Sequence, residues 1–138
     1  MLVVDVSAVF GFLFFDESTA YADALKDYMT INPVIAPDFF RIEANTILRK
    51  QERRGRFSKT HVDYVYGQII SLDILYRRLQ RSWFDAGHLL ELQRRHDLTA
   101  YDAVYLALAL QTQYPLATSD KHLAQAAQRE NLFWPGTA

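Results

Sequence analysis

The chain has 138 residues, half of them hydrophobic and 14% aromatic, with five glycines and four prolines. That composition argues against disorder, suffices for one ordinary core and leaves no room for long linkers. Fifteen Lys and Arg against sixteen Asp and Glu give a net charge of −1, so bulk electrostatics single out no nucleic-acid partner.

Leu2-Val3-Val4-Asp5-Val6 opens the chain as a near-continuous apolar, β-branched run with one acid in it. Such a run suits a strand covered on both faces, as in a parallel sheet. The apolar stretch 8–15 that follows has no preceding positive residue and falls far short of the roughly 20 residues of a membrane span, so no membrane role is expected. It reads as a helix through Phe15, with Asp16 and Ser18 offering caps for a second helix to about Met29. Pro33 to Pro37 reads as a short strand, and Asp38 as the cap of a helix running to about Arg54, where Gly55 stops it. Ser58 opens a helix from Thr60 to about Ile70, and Leu72–Leu75 suggests a third strand. Helices are expected over Ser82–Arg95 and Ala100–Gln113, then a strand at Pro115–Thr118, a helix at Lys121–Arg129 and a last strand at Leu132–Trp134. Alternating strands and helices predict one domain over residues 1–138, an α/β/α sandwich around a central parallel sheet. In that architecture the working site lies beyond the carboxyl ends of the strands.

Four acids stand in places that need a reason. Asp5 lies among Val3, Val4 and Val6; Glu43 sits on an otherwise apolar helix face among Phe39, Phe40, Ala44 and Ile47. Asp102 opens the apolar helix Asp102 to Leu110, and Asp120 follows a strand and precedes a helix. Each has a plain structural reading. Asp5 can bond the amides of the next turn, Glu43 can pair with an arginine, Asp102 can form a capping box with Thr99, and Asp120 can cap a helix. Taken together, four carboxylates without clustered cations beside them repel one another unless metal ions bind. Oxygen donors without a cysteine or histidine cage select Mg²⁺ or Mn²⁺, and such ions serve phosphodiester hydrolysis. The chain has no cysteine, which removes disulfides and thiolate chemistry and fits a reducing cytoplasm. His61, His88, His96 and His122 show no ligand spacing.

The segments Val4-Asp5-Val6-Ser7-Ala8, Glu43-Ala44-Asn45, Leu98 through Ala109 and Ala117-Thr118-Ser119-Asp120 resemble the motifs of PIN domains. In order, spacing and length they are similar to VapC-type toxins, the ribonuclease halves of toxin–antitoxin pairs. The resemblance implies a PIN-like fold and an Mg²⁺- or Mn²⁺-dependent endoribonuclease. It gives Asp5, Glu43, Asp102 and Asp120 the metal-binding roles and Ser7, Asn45 and Thr118 supporting ones. It further implies a homodimer and a small cognate antitoxin protein as partner. Two arginine-rich stretches, Arg49 to Arg56 and Arg77 to Arg81, read either as solvated helix faces or as phosphate contacts. The alternatives are a catalytically idle binding module of the same fold and a phosphatase of the haloacid-dehalogenase type. The latter wants a second acid where Ser7 stands; a receiver domain wants paired acids and a lysine that are not in place.

Overall fold

The computed structural model describes residues 1–14 and 19–137, so the caps expected at Asp16 and Ser18 lie outside the described residues. The elements run β1 (Val3–Val4), α1 (Val6–Leu13), α2 (Ala20–Ile31), β2 (Val34–Pro37), α3 (Phe40–Arg53), α4 (Lys59–Ser71) and β3 (Ile74–Arg77). They continue with α5 (Arg81–Asp85), α6 (His88–His96), α7 (Ala100–Thr112), β4 (Leu116–Ala117) and α8 (Lys121–Arg129).

The described strands form one parallel sheet in the order β3-β2-β1-β4, flanked by helices. Val3 and Val4 in β1 are fully buried because neighbouring strands flank both edges and helices cover the faces, which is why the opening run is apolar on both sides. Helix α7 packs across β1, β2 and β4, and its buried residues Ala103 through Ala109 explain an apolar pattern that goes nearly all round.

The sheet order reverses at β1: β2 lies on one side of it, β4 on the other. A crevice opens at such a switch point, outside the carboxyl ends of the two diverging strands. The register Val3↔Leu116 and Val4↔Ala117 brings Asp5 and Thr118, each one residue beyond its strand, to the same level of that crevice.

Several boundaries differ from the sequence reading. Asp38 does not cap α3: its N–H donates to Arg77 O (2.9 Å), so it still belongs to the sheet edge, and Phe39 precedes the helix with no side-chain cap. The helix expected over Ser82–Arg95 is two, α5 and α6, because Gly87 adopts φ 72°, a left-handed conformation that ends a helix and is cheap only for glycine. Strand β3 starts at Ile74 rather than Leu72, whose N–H is taken by Ile69 O at the end of α4. Residues 132–134 run beside β4 but make one isolated parallel bridge, Leu116↔Phe133, instead of a strand.

Candidate active site

Asp5 ends β1 and is the N-cap of α1. Its Oδ1 accepts from Ala8 N (3.0 Å) and Ser7 Oγ (2.8 Å), and its Oδ2 accepts from Thr118 Oγ1 (2.7 Å). The side chain is 5% exposed, and burial pushes its carboxyl up to about 7 in spite of these three donors. A charge so placed needs a positive neighbour, and none of the described lysines or arginines acts on it.

Thr118 and Ser7 join β4 to α1. Thr118 Oγ1 also accepts from Asp120 N (3.0 Å), and Ser7 Oγ accepts from Ser119 N (3.0 Å). One buried hydroxyl and one half-buried hydroxyl thus lock the loop that carries Asp120 against the loop that carries Asp5. Asp120 is the N-cap of α8, its Oδ1 accepting from Leu123 N (2.8 Å).

Asp102 lies in the first turn of α7, behind Thr99, which caps the helix by accepting from Asp102 N (3.2 Å). Half-burial and the charge of Asp120 raise its carboxyl above the usual range, while Thr99 and the nearby His122 oppose the rise. Glu43, half-buried on α3, is likewise raised by burial and by Asp102, against the bond it accepts from Tyr105 Oη (2.7 Å). Asp102 therefore feels Asp120 and acts on both Asp5 and Glu43, at the centre of the four acids.

The capping and cluster readings of these acids hold together. Asp5, Asp102 and Asp120 each stand at a helix N-terminus, where three helix dipoles favour negative charge. Hard oxygen donors in which Asp102 disfavours the charges of Asp5 and Glu43, and is itself disfavoured by Asp120, make a site suited to a divalent cation. Among the described residues, however, no three Asp, Glu or His side chains close on a single point tightly enough to enclose an ion alone. A strongly hydrated ion held through one or two carboxylates and its own waters suits this arrangement.

Asn45 lines a different cleft from the one that Glu43 lines. It is exposed and lines a cleft of about 630 Å³ with Thr46, Arg49, Lys50, Arg53 and Arg54. Two residues of the crevice escaped the sequence reading. Tyr105 is one of several apolar-looking positions in α7, and nothing in its spacing marks a hydroxyl aimed at Glu43. Tyr21 reaches 97 residues along the chain to accept from Thr118 N (3.2 Å), while its own hydroxyl donates to Trp134 O (3.0 Å).

The fold has solved counterparts. The crystal structure of PAE2754 from Pyrobaculum aerophilum superposes with a TM-score of 0.68 at 21% identity, over 91% of this chain and 78% of that one. Mycobacterium tuberculosis VapC20, a Sarcin-Ricin loop cleaving toxin, superposes with a TM-score of 0.62 at 14% identity, over 91% of this chain and 95% of that one. No protein of curated function matches the sequence. The PIN domain profile matches residues 2–129, nearly the whole of the fold described above, and the chain belongs to the PIN domain family.

Proposed function

We propose that this chain is a metal-dependent endoribonuclease, the toxin of a toxin–antitoxin pair, and that residues 1–138 form its nuclease domain. The carrying observation is the set of four acids coupled through Asp102 at the carboxyl ends of β1 and β4, with no described lysine or arginine among the charges that act on Asp5, Glu43 or Asp102. Membership of the PIN family, typically nucleases that use divalent ions, and the likeness to VapC20 support the same reading.

In this reading Asp5, Glu43, Asp102 and Asp120 are the acids that would hold Mg²⁺ or Mn²⁺, one or two of them directly and the others through its waters. When bound, such an ion would supply positive charge beside the scissile phosphate and would make nearby water more acidic. The chain's own part is placement. Ser7, Ala8 and Thr118 fix the Asp5 carboxylate, Tyr105 fixes Glu43, and the N-termini of α1, α7 and α8 favour the charged acids. Ser7 and Thr118 also tie the two acid-bearing loops, so the spacing of Asp5 and Asp120 is set before substrate arrives. The RNA strand is cut to leave 5′-phosphate and 3′-hydroxyl ends. A small antitoxin protein, a homodimer and a cytoplasmic setting complete the proposal; no helix among the described residues is long and apolar enough to cross a membrane.

The test exposes total cellular RNA to antitoxin-free protein with Mg²⁺, Mn²⁺ or EDTA, with Asp102→Asn protein alongside, and maps new 5′-phosphate ends. Discrete metal-dependent cuts that the variant does not make are expected. Full activity of Asp102→Asn would remove the site assignment, and no cleavage by the metal-loaded wild type would favour an idle binding module.

A further inference from the structure

Residues 132–134 begin to pair with β4 and then leave it. Leu116 N donates to Leu132 O (2.6 Å) and Trp134 N donates to Leu116 O (3.0 Å), the alternation of a parallel ladder. The next rung of that ladder would run from Thr118 N to Trp134 O. Instead the Tyr21 hydroxyl stands between the two, accepting from Thr118 N (3.2 Å) and donating to Trp134 O (3.0 Å). A side chain from the first turn of α2 is inserted where a backbone bond belongs, which is why this segment makes the single bridge Leu116↔Phe133 rather than a strand.

The ring that carries this hydroxyl is gripped by the segment it holds off. It lies nearly parallel to Phe133, with centroids 6.0 Å apart and planes 4° from parallel, and tilted against Trp134 at 5.5 Å. At Gly136, whose φ of 89° already favours glycine, a methyl group would stand 3.1 Å from the Tyr21 ring. Burial pushes the hydroxyl up to about 12, against the bond from Thr118 and with a smaller push from Asp5, so it stays protonated as a donor. Thr118, on its accepting side, is the residue whose own hydroxyl donates to Asp5 Oδ2 (2.7 Å) and accepts from Asp120 N (3.0 Å). With its N–H tied to Tyr21 and its side chain tied to both acid-bearing loops, Thr118 cannot shift without breaking one of these bonds.

We infer that Tyr21, gripped by residues 133–136, is a positioning residue for the acids: by standing in for the missing rung it fixes Thr118, and through Thr118 the spacing of Asp5 and Asp120. The C-terminal segment thereby acts on the crevice at one remove, through a single ring. A packing role alone would need the ring and not its oxygen, whereas the oxygen is what joins Thr118 to Trp134. The inference rests on the proposed metal site for what that spacing serves, and it adds the side chain and the segment that set it.

The test compares wild type with Tyr21→Phe, which keeps the ring and so keeps the two segments apart, leaving Thr118 N and Trp134 O without their shared partner. Amide hydrogen exchange followed by NMR is expected to show Thr118 N–H exchanging about tenfold faster relative to Leu116 N–H in the same strand, a difference that a general loss of stability does not produce. Free Mn²⁺ measured by electron paramagnetic resonance should give a metal affinity about tenfold below wild type, the low end for partners of metal ligands. Gly136→Ala, which leaves the hydroxyl in place and pushes on the ring, should lower the affinity in the wild-type background and not further in Tyr21→Phe. Wild-type Mn²⁺ affinity in Tyr21→Phe, Thr118 exchange that merely follows Leu116, equal effects of Gly136→Ala in both backgrounds, or no Mn²⁺ binding by the wild type would overturn the inference. Cleavage of RNA by a wild type whose Tyr21→Phe variant binds Mn²⁺ normally removes the positioning role and leaves the ribonuclease standing. The expected loss of affinity in a protein that cuts no RNA does the reverse.

Discussion

The hydroxyl of Tyr105 on α7 donates to Glu43 Oε1 on α3 across 2.7 Å, joining residues 62 apart in sequence. Tyr105 is almost fully buried, its ring edge-on to Phe39 at 5.3 Å, and burial together with Glu43 holds its hydroxyl far above the usual range, so it stays protonated as a donor. Glu43, half-exposed on a helix face, owes its orientation to that fixed neighbour.

Tyr105→Phe removes the oxygen and keeps the ring. A hydrogen bond to a charged acceptor is worth roughly 1.5–3 kcal/mol, and water reaching half-buried Glu43 recovers part of it, so a stability loss of about 1 kcal/mol is expected in urea denaturation. In the proposed function Tyr105 is a positioning residue, and its loss should affect metal use more than folding. The variant should need severalfold more Mg²⁺ for half-maximal cleavage, with RNA binding in EDTA unchanged. An unaltered Mg²⁺ requirement would reduce Tyr105 to a packing role.

Thr118 is 2% exposed and carries two bonds at once, donating to Asp5 Oδ2 and accepting from Asp120 N. Thr118→Val keeps the shape and strands both partners, each at about 1–3 kcal/mol, so roughly 3 kcal/mol should be lost. Combining it with Asp5→Asn removes the buried charge that suffers most, and the double variant should be more stable than the sum of the two single effects. Strict additivity would show that the Thr118–Asp5 contact is energetically idle.

Much of this site could be read from local sequence, for a physical reason. Strand-end and helix-start positions have short-range signatures, so Asp5, Asp102 and Asp120 stood out, and each is a residue at the head of a helix. The parallel architecture followed from the alternation of elements, and the limits of α8 from its clean capping. What could not be read depends on the third dimension or on backbone detail. Tyr105 and Tyr21 act through contacts 62 and 97 residues away. A lone glycine is tolerated inside a helical stretch, so Gly87 did not mark the break, and two helices that its left-handed backbone separates read as one. Asp38 has the chemistry of a cap but is held by the sheet edge, a tertiary bond that overrides local preference.

Away from the crevice, Glu130 sets a pH dependence of its own. Its carboxylate accepts from His96 Nε2 (2.8 Å) and from Arg95 Nη1 (2.9 Å), and these bonds, His96 first, hold its pKa below the ordinary carboxylate value. A depressed folded pKa contributes stability that is present above the unfolded pKa, near 4.5, and is lost as pH falls through the folded value. Glu130→Gln should therefore melt below wild type at pH 7, and the difference should shrink as pH falls below 4.5 and through the depressed folded value. A gap that persists undiminished at pH 3 would mean that packing, not charge, holds this corner.

The four acids make opposite demands on folding and on metal binding, and Asp102 is where the demands meet. Without metal, its charge is opposed by burial and by Asp120 and in turn disfavours those of Asp5 and Glu43; against this stand Thr99, the nearby His122 and the dipole at the α7 N-terminus, the last worth roughly 0.3–1 kcal/mol. Burial and the three repulsions outweigh these, since the Asp102 carboxyl is raised on balance, so metal-free Asp102→Asn should melt above wild type at pH 8. An ion that binds only the folded state adds about 1.4 kcal/mol at ten times its dissociation constant, a rise of roughly 4 °C for a chain of this size. Wild type should gain that on Mg²⁺ addition, and Asp102→Asn should gain little because the acid proposed as the central ligand is gone. The two melting curves should therefore cross as Mg²⁺ is titrated in, with the variant more stable at the start and wild type at the end. A variant that melts lower in EDTA and still gains the full shift would show that Asp102 serves the helix terminus, and that the ions bind without it.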